Sequence, residues 1–241
     1  MNAAILIPSL NPDHKLVDYV KELSEYGFSR IIVVNDGSSS EYDCLFERCT
    51  EYAACILLKH GENKGKGEAL KTGMRYYLEN SNGLGGIVTG DADGQHALDD
   101  TAKIAELLSE HKNSLLLGSR DFEGDHVPAR SKFGNKTTSS VFKLFYGQKI
   151  GDTQTGLRGI PNSILPLICE MDGSRFEYET NMLIQCILHK IPIVEIPVRT
   201  IYLDENSSSH FNPLTDSFRI YRLLIGQFFR HLFRKPANKS D

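Results

Sequence analysis

Ile87-Val88-Thr89-Gly90-Asp91-Ala92-Asp93-Gly94-Gln95-His96 is an apolar run that opens into an acidic turn. The first three residues read as a short buried strand. Gly90 ends it, two carboxylates follow one residue apart, and an amide and an imidazole come next. Alternate residues of extended chain share a face, so Asp91 and Asp93 can converge on one hard cation. Such a cation takes oxygen ligands and keeps positions for substrate phosphates. An Asp-Gly turn with a solvated acid uses the same residue types, so the reading depends on what surrounds the stretch.

Working outward, three more apolar runs precede it. Residues 3–8 (Ala-Ala-Ile-Leu-Ile-Pro) are followed by helical spacing at Leu16, Val17, Val20 and Leu23. Residues 30–35 end in Asn35-Asp36-Gly37-Ser38, and residues 55–59 run into the loop His60-Gly61-Glu62-Asn63-Lys64-Gly65-Lys66-Gly67. Fully apolar strands alternating with helices predict a mostly parallel central sheet flanked by helices, an α/β fold. Open sheets of this kind bind ligands outside the carboxyl ends of their strands. Asp36 is there, where it either accepts from a ribose or base edge or caps the next helix. The glycine-rich loop opens a helix at Leu70, Met74 and Tyr77, and bare amides beside lysine suit a phosphate. It is neither a Walker loop nor G-x-G-x-x-G.

Composition narrows the field. With 241 residues and 40% hydrophobic content, one large α/β domain is expected. A net charge of -4 implies no polyanion-binding surface, hence no nucleic acid partner. Five cysteines, an odd number without a C-x-x-C pair, fit reduced thiols of a cytosolic protein. No signal peptide is expected, and no apolar run approaches the roughly 18–20 residues of a membrane span.

The order of these motifs, Asn-Asp-Gly-Ser, then Asn-x-Gly-x-Gly, then Asp-Ala-Asp-Gly-Gln-His, resembles family 2 glycosyltransferases of the GT-A fold. The last motif is similar to that of the polyprenyl-phosphate sugar synthases. The resemblance implies a nucleotide-sugar site at Pro8, Asn11, Asp36, Lys64, Gly65, Asp91, Ala92, Asp93 and Gln95. It further implies Mg²⁺ or Mn²⁺ at Asp91, Asp93 and Gln95.

The second half continues the pattern. Residues 114–120 form a fifth strand ending in Arg120, and a polar loop to Lys132 carries Arg130. Arg120, Arg130 and Lys132 suit a diphosphate, since guanidinium contacts phosphate in a bidentate way. Residues 133–146 read as an amphipathic helix. The cluster 151–159 carries Asp152 and Arg158 and resembles the family's Asp-x-x-x-Gly-x-Arg segment beside sugar and acceptor. Glu177 and Glu179 open the next helix, where the macrodipole alone accounts for acids; the resemblance adds Glu177 to the acceptor side. Residues 191–198 form a proline-bounded edge strand. In the polar loop 203–211 only His210 can supply a cation to a phosphate.

From Asp216 to Lys235, Phe218, Tyr221, Ile225, Phe228, Phe229, Leu232 and Phe233 fall on one face at about 100° per residue, with Arg219, Arg230 and Arg234 opposite. Such a helix either lies in a membrane interface or packs on the domain. The chain divides into one domain over 1–215, this helix over 216–235, and a polar tail over 236–241.

The sequence therefore points to an inverting, metal-assisted transfer from a UDP- or GDP-sugar to a polyprenyl phosphate. Asp93, Asp152 and Arg120 are the candidate catalytic residues. Arg120, Arg130, Arg158, Glu177 and His210 are candidates for the acceptor phosphate. The expected setting is cytoplasmic, peripheral at the inner face of the cell membrane, with a separate membrane protein as a possible partner. A glycan hydroxyl acceptor would instead need a base, for which Asp152 is the candidate. A nucleotidyltransferase is disfavoured, because the first strand lacks a Gly-rich, Arg-Lys loop. A non-catalytic nucleotide-sugar binder is disfavoured by the intact Asp91 and Asp93.

Overall fold

The structure, a computed structural model, describes residues 1–122, 127, 129–199 and 215–233, with only the backbone at 129 and 130. Four apolar strands, β1 (Ala4–Ser9), β2 (Ile31–Asn35), β3 (Cys55–Lys59) and β4 (Gly86–Thr89), are joined by helical crossovers. These are α1 (Lys15–Tyr26), α2 (Asp43–Thr50) and α3 (Lys66–Glu79). All pair in parallel, in the order β3-β2-β1-β4. Alternate residues feed two cores. Leu6, Ile32, Val34 and Ile87 pack under α3, while Ile5, Ile7, Ile31, Val33 and Val88 pack under α1 and α2. That double burial explains why the strands are apolar throughout rather than alternating.

Beyond β4 the chain forms α4 (Leu98–Leu107), β5 (Leu115–Arg120), α5 (Ala129–Tyr146), β6 (Arg158–Pro161), α6 (Leu165–Cys169), α7 (Glu177–Leu188), β7 (Ile193–Val198) and α8 (Thr215–Leu232). The seven-stranded order is β3-β2-β1-β4-β6-β5-β7, with β7 at an edge as its prolines predict. The strand that sequence reading missed is β6. It is four residues long, antiparallel to both β4 and β5, and carries Arg158 and Pro161. It matters for the site, because Thr89 pairs with Arg158 and Thr89 Oγ1 donates to the Gly156 carbonyl at 2.7 Å. Segment 151–157 is thereby tied to the mouth of β4.

The C-terminal helix corrects the single-face wheel. Leu224 is fully buried and Tyr221 packs on the core beneath α8. The Phe228 ring lies 4.7 Å from that of Phe145, and Tyr146 donates its hydroxyl to the Leu224 carbonyl. Phe218, Ile225, Phe229, Leu232 and Phe233 instead stay exposed. The apolar arc is wider than one stripe: part packs on α5 and α7, and part faces outward. Among the described residues, no helix is long and apolar enough to cross a membrane.

Candidate active site

A cavity of about 760 Å³ opens at the carboxyl ends of β1, β2 and β4. Its wall includes Pro8, Asn11, Asp36, Gly65, Asp91, Ala92 and Asp93 from the sequence prediction. It also includes Tyr42, Lys66, Arg175, Phe176, Asp216 and Arg219, which sequence reasoning did not select.

Asp36 is buried and holds the glycine-rich loop. Its Oδ1 accepts from His60 Nδ1 (2.6 Å) and from the Lys64 N–H (2.9 Å); its Oδ2 accepts from the Gly65 N–H (2.8 Å). Gly65 has φ of 101°, and a Cβ there would meet the Ser174 carbonyl, so glycine is required. Of the loop amides expected to be bare for a phosphate, those of Lys64 and Gly65 are therefore taken, and the Glu68 N–H donates to the Ser174 carbonyl. The Lys64 side chain is exposed and lies outside the cavity wall. Two residues on, Lys66 supplies the cation that the loop brings to the site.

Lys66 Nζ stands 2.7 Å from Asp91 Oδ1 and 2.9 Å from Glu179 Oε2. Burial opposes the ammonium, but Asp91 and Glu179 outweigh it and hold Lys66 above the ordinary lysine value. Burial likewise opposes the Asp91 charge. Lys66, and after it His96, reverse that and hold the carboxyl well below the usual range. Asp93 goes the other way: burial first, then the Asp91 charge, push its carboxyl up. Asp93 Oδ1 accepts from the Gln95 N–H at 3.0 Å; Gln95 is outside the cavity wall. His96 Nε2 is buried, without a hydrogen-bond partner, 3.4 Å from Asp91 Oδ2. A Cβ on Gly156 would collide with the Asp91 carboxylate, with that same oxygen first. Beneath the turn, Tyr19 shares a 2.8 Å hydrogen bond with Thr101, and burial keeps its phenol neutral well above the ordinary tyrosine range.

The remaining candidates lie elsewhere. Asp152 is fully buried and takes Arg120 in a bidentate pair, Nε to Oδ2 at 2.7 Å and Nη2 to Oδ1 at 3.2 Å, plus the N–H of Gln154. A base must reach its proton, so this geometry does not fit Asp152 as a general base. Arg158 is also withdrawn. It is 1% exposed, donates to the carbonyls of Thr155 and Glu179, keeps Nη2 buried without a hydrogen-bond partner, and is not part of the cavity wall. Glu177 Oε1 accepts the N–H groups of Ser174 and Arg175, a local cap of α7 that shapes the cavity wall at Arg175. His210 and the Arg130 side chain lie outside the described residues.

An acidic pair beside a cavity at the strand ends, on a sheet with one antiparallel insertion, can be compared with known proteins. The family model "Glycosyl transferase family 2" matches residues 4–166. The chain belongs to that family. It is 30% identical over 238 residues to UDP-N-acetylglucosamine–dolichyl-phosphate N-acetylglucosaminyltransferase of Methanococcus voltae, covering 92% of this chain and 94% of the relative. It is 28% identical over 251 residues to dolichyl-phosphate beta-glucosyltransferase of Dictyostelium discoideum, covering 96% of this chain and 72% of the relative. Among solved structures, glucosyl-3-phosphoglycerate synthase of Mycobacterium tuberculosis, determined with Mn²⁺, UDP and glucosyl-3-phosphoglycerate, aligns with a TM-score of 0.67. That alignment is 14% identical, covers 98% of this chain and 81% of that one, and shows the fold alone. This family 2 glycosyltransferase has the GT-A fold.

Proposed function

We propose that this glycosyltransferase moves a sugar from a nucleoside diphosphate sugar to a polyprenyl phosphate, with inversion at the anomeric carbon and Mg²⁺ or Mn²⁺ at the acidic pair. The observation that carries the reading is the cavity at the ends of β1, β2 and β4, where Asp91 and Asp93 stand beside a bound cation, the Lys66 ammonium. A volume of about 760 Å³ suits a nucleotide-sized ligand. The names of the Methanococcus and Dictyostelium relatives support a dolichyl-type phosphate acceptor.

The residues fit a divalent cation. Asp91 already binds a positive charge at 2.7 Å, and two carboxylates one residue apart are the oxygen donors a hard divalent ion accepts; among the described residues no third His, Cys, Asp or Glu completes a protein-only site, so the donor's phosphates would have to supply further oxygens. Asp91 and Asp93 would hold the ion, with Gln95 and His96 beside them. When bound, it neutralises charge developing on the leaving diphosphate. The solved neighbour with Mn²⁺ and UDP supports this assignment.

The chain's own residues do the rest. Asp36 fixes the loop that presents Lys66 to the diphosphate, and Tyr42 and the segment from Pro8 to Asp13 line the nucleoside end. A phosphate oxygen of the acceptor attacks the anomeric carbon as the bond to the donor's β-phosphate oxygen breaks. The acceptor is already ionised, so the reaction needs positioning cations rather than a base. Arg175 and Arg219 line the cavity and take the role first given to Arg120 and Arg158. Arg219 comes from α8, where Asp216 holds it at 3.0 Å.

The exposed Phe218, Ile225, Phe229, Leu232 and Phe233 of α8 meet the lipid surface that carries the acceptor, at the cytoplasmic face of the membrane. Replacing Phe218 and Phe229 by Glu is expected to weaken flotation with anionic vesicles by about 10-fold or more, given the burial worth of each ring; equal flotation would remove this docking role.

The reaction is tested by incubating UDP- and GDP-sugars with undecaprenyl phosphate in detergent, with Mg²⁺, Mn²⁺ or chelator. A lipid-linked sugar formed only with divalent cation is expected. Donor binding without any transfer would overturn the reading.

A further inference from the structure

The cation at the acidic pair belongs to the protein itself. Lys66 is the first residue of α3, yet its Nζ bridges the turn after β4 and the first turn of α7, at Asp91 Oδ1 and Glu179 Oε2. The rest of the Asp91 carboxylate is crowded: Gly156 packs against it so tightly that a Cβ would collide with both oxygens, Oδ2 first, and His96 Nε2 stands 3.4 Å from Oδ2. A metal ion held by Asp91 would share that carboxylate with the Lys66 ammonium.

We propose that Lys66 is a resident counterion that competes with the divalent cation for Asp91 in the free protein and passes to the donor's diphosphate when the donor binds. Cation and nucleotide then bind together and only weakly apart. The inference rests on the cation assignment given under the proposed function. Three features carry it. Two positive centres sharing one carboxylate repel, most strongly in a partly buried site. Lysine is a point charge on a flexible stem, so it can change partners without leaving the site. Glu179 gives the ammonium a second anchor, so release of Asp91 does not strand a buried charge. Lys66 also lines the cavity, where a diphosphate would arrive. Its role is positioning: it keeps Asp91 ordered without metal and makes way for it.

The test is Mn²⁺ binding, read from the free-ion electron paramagnetic resonance signal with and without UDP, in wild type, Lys66→Met, Glu179→Gln, the double variant and Asp91→Asn. Without UDP, Lys66→Met is expected to bind Mn²⁺ about 10-fold more tightly than wild type, and UDP is expected to improve its affinity far less, as reciprocal coupling requires. Glu179→Gln, which leaves Lys66 with Asp91 alone, is expected to weaken nucleotide-free binding when Lys66 is present and to change little when Met replaces it. Should Lys66→Met fail to fold, the double variant, which also removes the stranded carboxylate, is compared with wild type for the same two effects. Asp91-dependent Mn²⁺ binding that loss of Lys66 neither tightens nor uncouples from UDP overturns the proposal and leaves the functional reading intact. No Asp91-dependent binding in wild type, even with UDP, removes the cation assignment and the proposal with it.

Discussion

Asp91 and Asp152 each hold a cation at 2.7 Å, Lys66 Nζ in one case and Arg120 Nε in the other. Both acids come from polar clusters beside strand ends, and Gly156 connects the two neighbourhoods. Their surroundings differ. The Asp91 side chain is 27% exposed, faces the cavity and shares its lysine with Glu179. The Asp152 side chain is 0% exposed and is saturated by a bidentate guanidinium and backbone amides. A point charge on an open carboxylate can be exchanged for another cation. A planar fork on a sealed carboxylate is a fixed joint. Two similar acidic motifs thus become a site and a strut.

The sharpest way to break this comparison is Asp91→Asn, which removes a cavity carboxylate while preserving shape. Turnover with polyprenyl phosphate is expected to fall by about 10²–10³, the loss typical of one electrostatic stabiliser. Unchanged turnover would make Asp91 a strut as well. Gly156→Ala probes the connection. Its Cβ would collide with the Asp91 carboxylate, so a drop of about 10² in kcat is expected from misplacement alone, with a folded circular dichroism spectrum.

Asp152→Asn should act on the fold. Breaking a buried pair while keeping the guanidinium costs about 3–5 kcal/mol, measured by urea unfolding. Normal stability with abolished turnover would restore Asp152 as a chemical group. The smallest effect concerns Asp93. The fold raises its pKa, so the native state prefers the neutral acid and loses stability as pH rises from the unfolded aspartate value to the raised folded one. In chelator, Asp93→Asn should therefore melt slightly above wild type near pH 7, with the gap closing as pH falls below the unfolded aspartate value of about 4, where the acid becomes protonated folded and unfolded. A gap that widens on acidification would contradict the shift.

Much of this was legible in the chain. Strands β1 to β4 announce themselves through short apolar runs, and Asp91 and Asp93 are readable because the strand and its turn are contiguous. What escaped is non-local. Lys64 and Lys66 are indistinguishable by composition; the φ of 101° at Gly65 and the capture of the loop amides by Asp36 determine which one enters the cavity. Glu179 looked complete as a helix-start acid and instead anchors a residue 113 positions earlier in the sequence (179 − 66). Strand β6 is hidden because a buried arginine and a terminal proline mask four residues with little periodicity. Arg158 reads as a phosphate ligand through the family's Asp-x-x-x-Gly-x-Arg segment, and its burial is visible only in the fold. On α8 the wheel found the apolar arc, but only the packing of α5 and α7 divides it into an inward and an outward part.

The central claim, transfer to an ionised lipid phosphate without a protein base, is tested most directly by one pair of acceptors. Polyprenyl phosphate and the matching polyprenol are offered to the enzyme with its preferred nucleotide sugar and divalent cation, and lipid-linked product is measured. The account predicts product with the phosphate and none with the alcohol, because the one carboxylate proposed as a base, Asp152, is sealed by Arg120. Comparable product from the alcohol would contradict it and require a general base.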